Sequence, residues 1–161
     1  MDDLSSQLKA HWQDIRGRTY DLLDSLTDAD LEKRLPFPTS QSLGTQFYCM
    51  LGTQESWGPV LTKGRMEGWS SSISEVAPED IRSYQVEYSQ RLRAADEQLF
   101  ITLDAVEWAQ TFDDGSTPLA KYLRLVEHEA HHQGQLINFI YALELPIPES
   151  WADSWGLSRD S

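Results

Sequence analysis

The chain has 161 residues, 40% of them hydrophobic and 24% charged, a balance typical of a folded globular domain and not of a disordered segment. Its formal net charge of -13 would repel a phosphate backbone or an anionic bilayer, so we expect neither nucleic acid nor membrane as a partner. The single cysteine excludes an internal disulfide. No signal-peptide pattern and no run of about 20 apolar residues is present, so a cytoplasmic protein is expected.

The length suits a single domain spanning residues 1–161, and apolar spacings of three and four predict its first long helix at about residues 3–26. A second helix is predicted at about residues 40–62, where Thr39 or Ser40 can cap its start. Its apolar stripe lies beside a stripe of small or polar residues that includes Cys49. Gly58 and Pro59 predict a bend or an early end.

A third helix is predicted at about residues 78–103, with Pro78 in its first turn. The charged face of this helix, which includes Asp96, is interpreted as solvent-exposed. The fourth helix, at about residues 117–144, begins at a Ser-Thr-Pro cap and ends before Pro146. Four long helices without a strand pattern predict an all-α four-helix bundle.

Three of the four histidines lie within residues 125–136 of the fourth helix. His128 and His132 are four residues apart and share one helix face, so their ring nitrogens can converge on one metal ion. The alternative is a histidine-rich face exposed to solvent. His131 points away from this pair and is expected to face solvent or a neighbouring helix.

A third metal ligand has to come from another helix, and Cys49 is the best candidate by residue type. A thiolate and two imidazoles suit zinc and leave one position open for water or substrate. Gln54 is a weaker candidate because a neutral amide oxygen is a poor ligand for this ion. Taken alone, a cysteine such as Cys49 is more often an inert buried thiol than a metal ligand. Glu129 is the candidate catalytic residue, as a proton acceptor or as a support for the ligands; the alternative is an exposed helix acid.

The segment His128–His132 also matches the His-Glu-x-x-His motif of zinc proteases, in which the glutamate activates water. That motif requires a third ligand further along the chain and an edge strand that docks the peptide. Glu144 and Glu149 are the only acids at a plausible distance, and no strand-rich segment precedes the motif. The protease interpretation is therefore disfavoured.

Three segments of the sequence resemble the DinB/YfiT-like superfamily of metal-dependent enzymes: residues 42–57, residues 128–136 and residues 145–151. With the order of the helices, the resemblance covers nearly the whole chain. It implies a four-helix bundle in which three histidines hold a divalent metal, one on the second helix and two on the fourth. His128 and His132 match the latter pair, whereas Cys49 stands where the family has a histidine.

Characterised relatives are similar to thiol-dependent transferases and isomerases, in which the metal activates a low-molecular-weight thiol. The resemblance therefore implies a metal-dependent enzyme acting on a small-molecule substrate, as a thiol S-transferase or a hydrolase, with zinc or nickel. It also implies a homodimer. The alternative, which the cysteine at position 49 keeps open, is a metal-free bundle that binds a small molecule or a partner protein.

Overall fold

The computed structural model describes residues 3–75 and 84–159, and it forms an all-α bundle over these ranges. In chain order the helices are α1 (Leu4–Ser25), α2 (Asp28–Glu32), α3 (Leu43–Glu55), α4 (Gly58–Lys63), α5 (Gln85–Ala105), α6 (Pro118–Ala142) and α7 (Glu149–Trp155). A short 3-10 helix spans Ser72–Glu75. No strand occurs in the described ranges beyond one isolated bridge between Arg34 and Ser42. The predicted start of the third helix at Pro78 lies outside them.

The first residues of α1 and α6 follow the capping chemistry of the sequence. The predicted cap of the second helix at Thr39 or Ser40 is wrong, because α3 begins after Ser42, whose side chain makes no capping hydrogen bond. The Asp3 side chain accepts a hydrogen bond from the backbone N–H of Ser6 at 2.8 Å and so begins α1. Thr117 begins α6 in the same way, with Pro118 in its first turn. The second predicted helix is divided into α3 and α4 at the Gly58–Pro59 step, which confirms the predicted bend.

The four long helices form the predicted bundle. Helices α1 and α3 each pack against both α5 and α6, so α1 and α3 lie diagonally opposite each other. Helix α7 packs on α1, where the Trp151 indole N–H donates to the Arg18 carbonyl oxygen at 2.6 Å. No described helix combines the length and the apolar character needed to cross a membrane.

The core consists of two apolar clusters, and a polar layer separates them. On α1, Leu8, Trp12 and Ile15 belong to one cluster, while Leu22 belongs to the other. Arg16, which lies between them, is buried. The same order recurs on the other long helices, whose buried polar residues between the two clusters are Gln54 on α3, Asp96 on α5, and Glu129 and Gln133 on α6. We call these five residues the buried polar layer.

Asp96 corrects one expectation from the sequence. Its predicted solvent-exposed position is wrong, because the residue is only 9% exposed. Its carboxylate accepts hydrogen bonds from the Trp12 indole and the Gln54 amide, each at 2.7 Å. The Tyr20 hydroxyl also donates to it. Uncharged donors from two other helices thus replace the water that a surface carboxylate would bind.

Candidate metal centre

Cys49 on α3 and His128 and His132 on α6 come together at the level of the buried polar layer. Their ligand atoms all lie within 4.8 Å of one another. The Nε2 atom of His128 is 3.2 Å from Nε2 of His132 and 3.6 Å from Sγ of Cys49. The two imidazole planes are inclined by 69°, with their centroids 4.5 Å apart. The helical spacing of four residues thus directs both rings to one point, and Cys49 on α3 lies opposite that point.

These distances fit a tetrahedral metal ion. With zinc bonds of about 2.0–2.1 Å to nitrogen and 2.3 Å to sulfur, two nitrogen ligands lie about 3.3 Å apart, and a nitrogen and a sulfur about 3.5 Å apart. The 3.2 Å and 3.6 Å separations in the structure are close to both values. Both pairs that include His128 therefore have the spacing of two ligands on one tetrahedral ion.

Gln46 sets the orientation of His132. Its Oε1 atom lies 2.8 Å from Nδ1 of His132, and since an amide oxygen can only accept, Nδ1 carries the proton. The lone pair of the ring is then on Nε2, which faces His128 and Cys49. A hydrogen bond on the far nitrogen is the usual way in which proteins orient a metal-ligating histidine.

Burial sets the protonation of the three side chains. It lowers the pKa of His128, and it lowers that of His132 to about 4, with the neighbouring imidazoles acting in the same direction. Both rings are therefore neutral at pH 7, the form that binds metals. Burial raises the pKa of the Cys49 thiol, against an opposing hydrogen bond with Thr53. A metal ion would have to displace the thiol proton on binding.

Thr53 and Trp69 border the centre. Thr53 lies on the same predicted stripe of small or polar residues as Cys49, whereas the sequence did not indicate Trp69. The hydroxyl oxygen of Thr53 is 3.3 Å from Nε2 of His128 and accepts a hydrogen bond from the Trp69 indole at 3.3 Å. The indole lies on Gly52, where an added Cβ would come within 2.3 Å of the ring. It also meets Tyr48 edge-on at 5.3 Å. The glycine inside α3, which weakens a helix, was the one available signal that something approaches closely.

Glu129 lies in the buried polar layer. It is 1% exposed, which excludes the exposed helix acid considered for it. One carboxylate oxygen accepts a hydrogen bond from the Thr19 hydroxyl at 2.5 Å, and the other is 3.2 Å from the Arg16 guanidinium. In the described ranges, no hydrogen bond or ion pair joins Glu129 to Cys49, His128 or His132. Its role as a proton acceptor stays a prediction.

The two remaining sequence candidates are not part of this centre. The Oε1 atom of Gln54 accepts a hydrogen bond from Arg16 at 2.6 Å, which occupies the amide oxygen that a metal would need. His131 is exposed, with its ring centroid 5.4 Å from that of His132. The third potential ligand lies on α3, ahead of the histidines in the chain. This order differs from the downstream ligand of the protease motif.

The family comparison agrees with this geometry. The sequence pattern of the DinB family matches residues 1–143. No curated protein and no solved structure matches the chain. Residues 144–159, which include α7, lie outside the matched range.

Proposed function

Because this chain belongs to the DinB family, we propose that it is a metal-dependent enzyme that acts on a small molecule. Cys49, His128 and His132 hold a divalent cation, zinc or nickel, in this proposal. The observation that carries it is the convergence of three ligand atoms within 4.8 Å, with His132 already in the tautomer that ligation requires.

The protein contributes a partly buried and preorganised set of ligands. Burial keeps both imidazoles neutral, and Gln46 holds the Nδ1 proton of His132. When bound, a zinc or nickel ion supplies Lewis acidity, which lowers the pKa of a thiol or of a water molecule. Three protein ligands leave a fourth position for that group. The hydroxyl oxygen of Thr53 lies 3.3 Å from Nε2 of His128.

We further propose that the reaction is the transfer of a low-molecular-weight thiol to an electrophilic substrate, with hydrolysis as the alternative. Family likeness supports both reactions, and the fold does not distinguish them. A homodimer in the cytoplasm is part of the same proposal. The two reactions are separated by incubating the metal-loaded enzyme with an aryl halide, with and without a low-molecular-weight thiol. A transferase consumes thiol and aryl halide in equal amounts, whereas a hydrolase needs no thiol.

The decisive experiment measures the metal content of protein purified without a histidine tag. Wild-type protein and the His131→Ala control are expected to retain close to one zinc or nickel ion per chain after dialysis. His128→Ala is expected to lose it, because one of three ligands is removed. The control alters an exposed imidazole in the same turn of α6, so it tests whether general histidine content explains the result.

The competing function is a metal-free binding protein, which the raised pKa of the Cys49 thiol favours. Wild-type protein that contains no metal after several preparations, and that takes none up on titration with zinc, would establish this alternative. A metal content that is the same in His128→Ala would place the ion elsewhere.

A further inference from the structure

A neutral cleft lies beside the candidate metal centre. It has a volume of about 790 Å³ and runs between α6 and the segment that connects α2 to α3. Leu35, Phe37, Phe139 and Tyr141 supply much of its apolar wall. None of the described side chains that line it is charged, although the chain carries a formal net charge of -13.

Two glutamines in the wall of this cleft connect it to His132. Gln46 accepts the Nδ1 proton of His132 through Oε1, and its NH₂ group has no partner among the described residues. Gln135 follows His132 by three residues in α6 and lines the same cleft. The Oε1 atom of Gln135 is buried and makes no hydrogen bond of acceptable geometry. One unused donor and one unused acceptor therefore border the cleft next to a potential metal ligand.

Two aromatic side chains at the rim of the cleft are about half exposed to solvent. Phe37 is 52% exposed and Tyr141 is 43% exposed. A flat apolar group would cover both rings and release the water that hydrates them. An anionic group would find no cation in the wall to offset the loss of its hydration, and the charge of the whole chain would oppose its approach.

We propose that this cleft, which adjoins the metal centre on the Nδ1 side of His132, binds an uncharged aryl or alkyl carboxamide. The amide oxygen of the ligand accepts from the Gln46 NH₂ group, and its N–H donates to Oε1 of Gln135 once that half-buried side chain turns toward the cleft. The apolar part of the ligand lies between Phe37 and Tyr141. Binding in the cleft needs no metal, so it can be measured separately from the proposed function.

Benzamide and benzoate test this proposal, because they share a shape and differ in charge and in the amide N–H. Each is titrated into EDTA-treated, ¹⁵N-labelled full-length protein, and side-chain amide resonances are followed by NMR. Benzamide is expected to shift the signals of Gln46 and Gln135, and benzoate to bind at least ten-fold more weakly. Gln135→Leu is expected to weaken benzamide about five-fold, the effect of one neutral hydrogen bond. Gln98→Leu, on the exposed face of α5, serves as the matched control.

Equal binding of benzamide and benzoate, shifts confined to other regions, or an unchanged affinity in both Gln135→Leu and Phe37→Ala would overturn the proposal. A benzamide affinity that falls as protein concentration rises would assign the cleft to a second copy of the chain instead. Metal content is measured on protein from the same preparation before EDTA treatment. Metal with no benzamide binding contradicts only the cleft assignment, and benzamide binding without metal contradicts only the proposed enzyme.

Discussion

Arg16 and Glu129 form an ion pair in the interior of the bundle, with 3.2 Å between the guanidinium NH2 and the carboxylate Oε2. Each residue is 1% exposed. The same guanidinium lies 3.6 Å from Asp96 and donates to Gln54, so one cation on α1 contacts the other three long helices. Since Glu129 follows His128 directly in α6, this pair also fixes the position of the histidine helix against α1.

Replacing Arg16 with methionine is expected to destabilise the protein by about 3–5 kcal/mol, because two buried carboxylates lose their cation. The measurement is the free energy of unfolding in urea at pH 7. Arg93→Met is the control: Arg93 lies over the Tyr20 ring at 4.1 Å, and its ion pair with Asp24 is exposed to solvent. That change is expected to cost about 1 kcal/mol or less. Equal losses of unfolding free energy in the two variants would show that the buried ion pair contributes no more to stability than the exposed one.

Replacing Gly52 with alanine is expected to displace Trp69, since the new Cβ would lie 2.3 Å from the indole ring. The ring would lose its hydrogen bond to Thr53. Stability should change little, because alanine favours the helix by about 1 kcal/mol and offsets part of the loss. Fluorine NMR of protein labelled with 5-fluorotryptophan measures the displacement, and the Trp69→Phe variant assigns the signal among the six tryptophans.

Gly17→Ala is the matched control for that substitution, since nothing lies within 4 Å of its added Cβ. It should stabilise α1 by about 0.5–1 kcal/mol and leave every fluorine signal in place. A Trp69 signal that is the same in Gly52→Ala and in wild type would contradict the close contact between the indole and α3.

The stability of the metal-free protein is expected to fall between about pH 6.5 and about pH 4. The pKa of His132 is about 4 in the folded protein and about 6.5 in the unfolded chain, so the unfolded chain binds more protons in this window. The contribution of His132 is present above pH 6.5, and up to about 3 kcal/mol of it is lost as the pH falls. Urea unfolding in EDTA at several pH values measures the slope. His132→Gln should reduce this slope, and an unchanged slope would show that another group controls it.

Cys49→Ser and Gln54→Ala are expected to have opposite effects. The serine hydroxyl is a poor zinc ligand, so Cys49→Ser should weaken metal binding at least ten-fold and leave the fold intact. Gln54→Ala should cost about 2 kcal/mol of stability, because Arg16 and Asp96 each lose a buried partner. Its effect on metal binding should be less than three-fold. The reverse order in a zinc titration would mean that Gln54, and not Cys49, faces the ion.

Helix positions of the candidate ligands were predictable because periodicity determines which residues share a face. His128 and His132 are four residues apart in a segment with clear caps, so their common face follows from the helix itself. Cys49 required the further step of placing α3 opposite α6. Its residue type and its place on the small or polar stripe of the second helix selected it, and the family resemblance pointed to the same position.

The buried polar layer could not be predicted in the same way. Arg16 and Glu129 are more than a hundred residues apart, and each has the residue type expected on a helix surface. Asp96 was misassigned for this reason, since a local pattern cannot show that Trp12, Tyr20 and Gln54 supply its hydrogen bonds. Trp69 was equally hidden, because its position depends on the path of a loop between two helices.

The buried polar layer and the three candidate ligands have no residue in common, and this has a consequence for substitutions at position 49. The layer ties four helices together through residues that do not contact Cys49, so the bundle does not depend on the chemistry at position 49. A substitution at position 49 is therefore expected to change the ligand set of the candidate centre at little expense in folding. The fold and the chemistry that it presents at this point can vary independently.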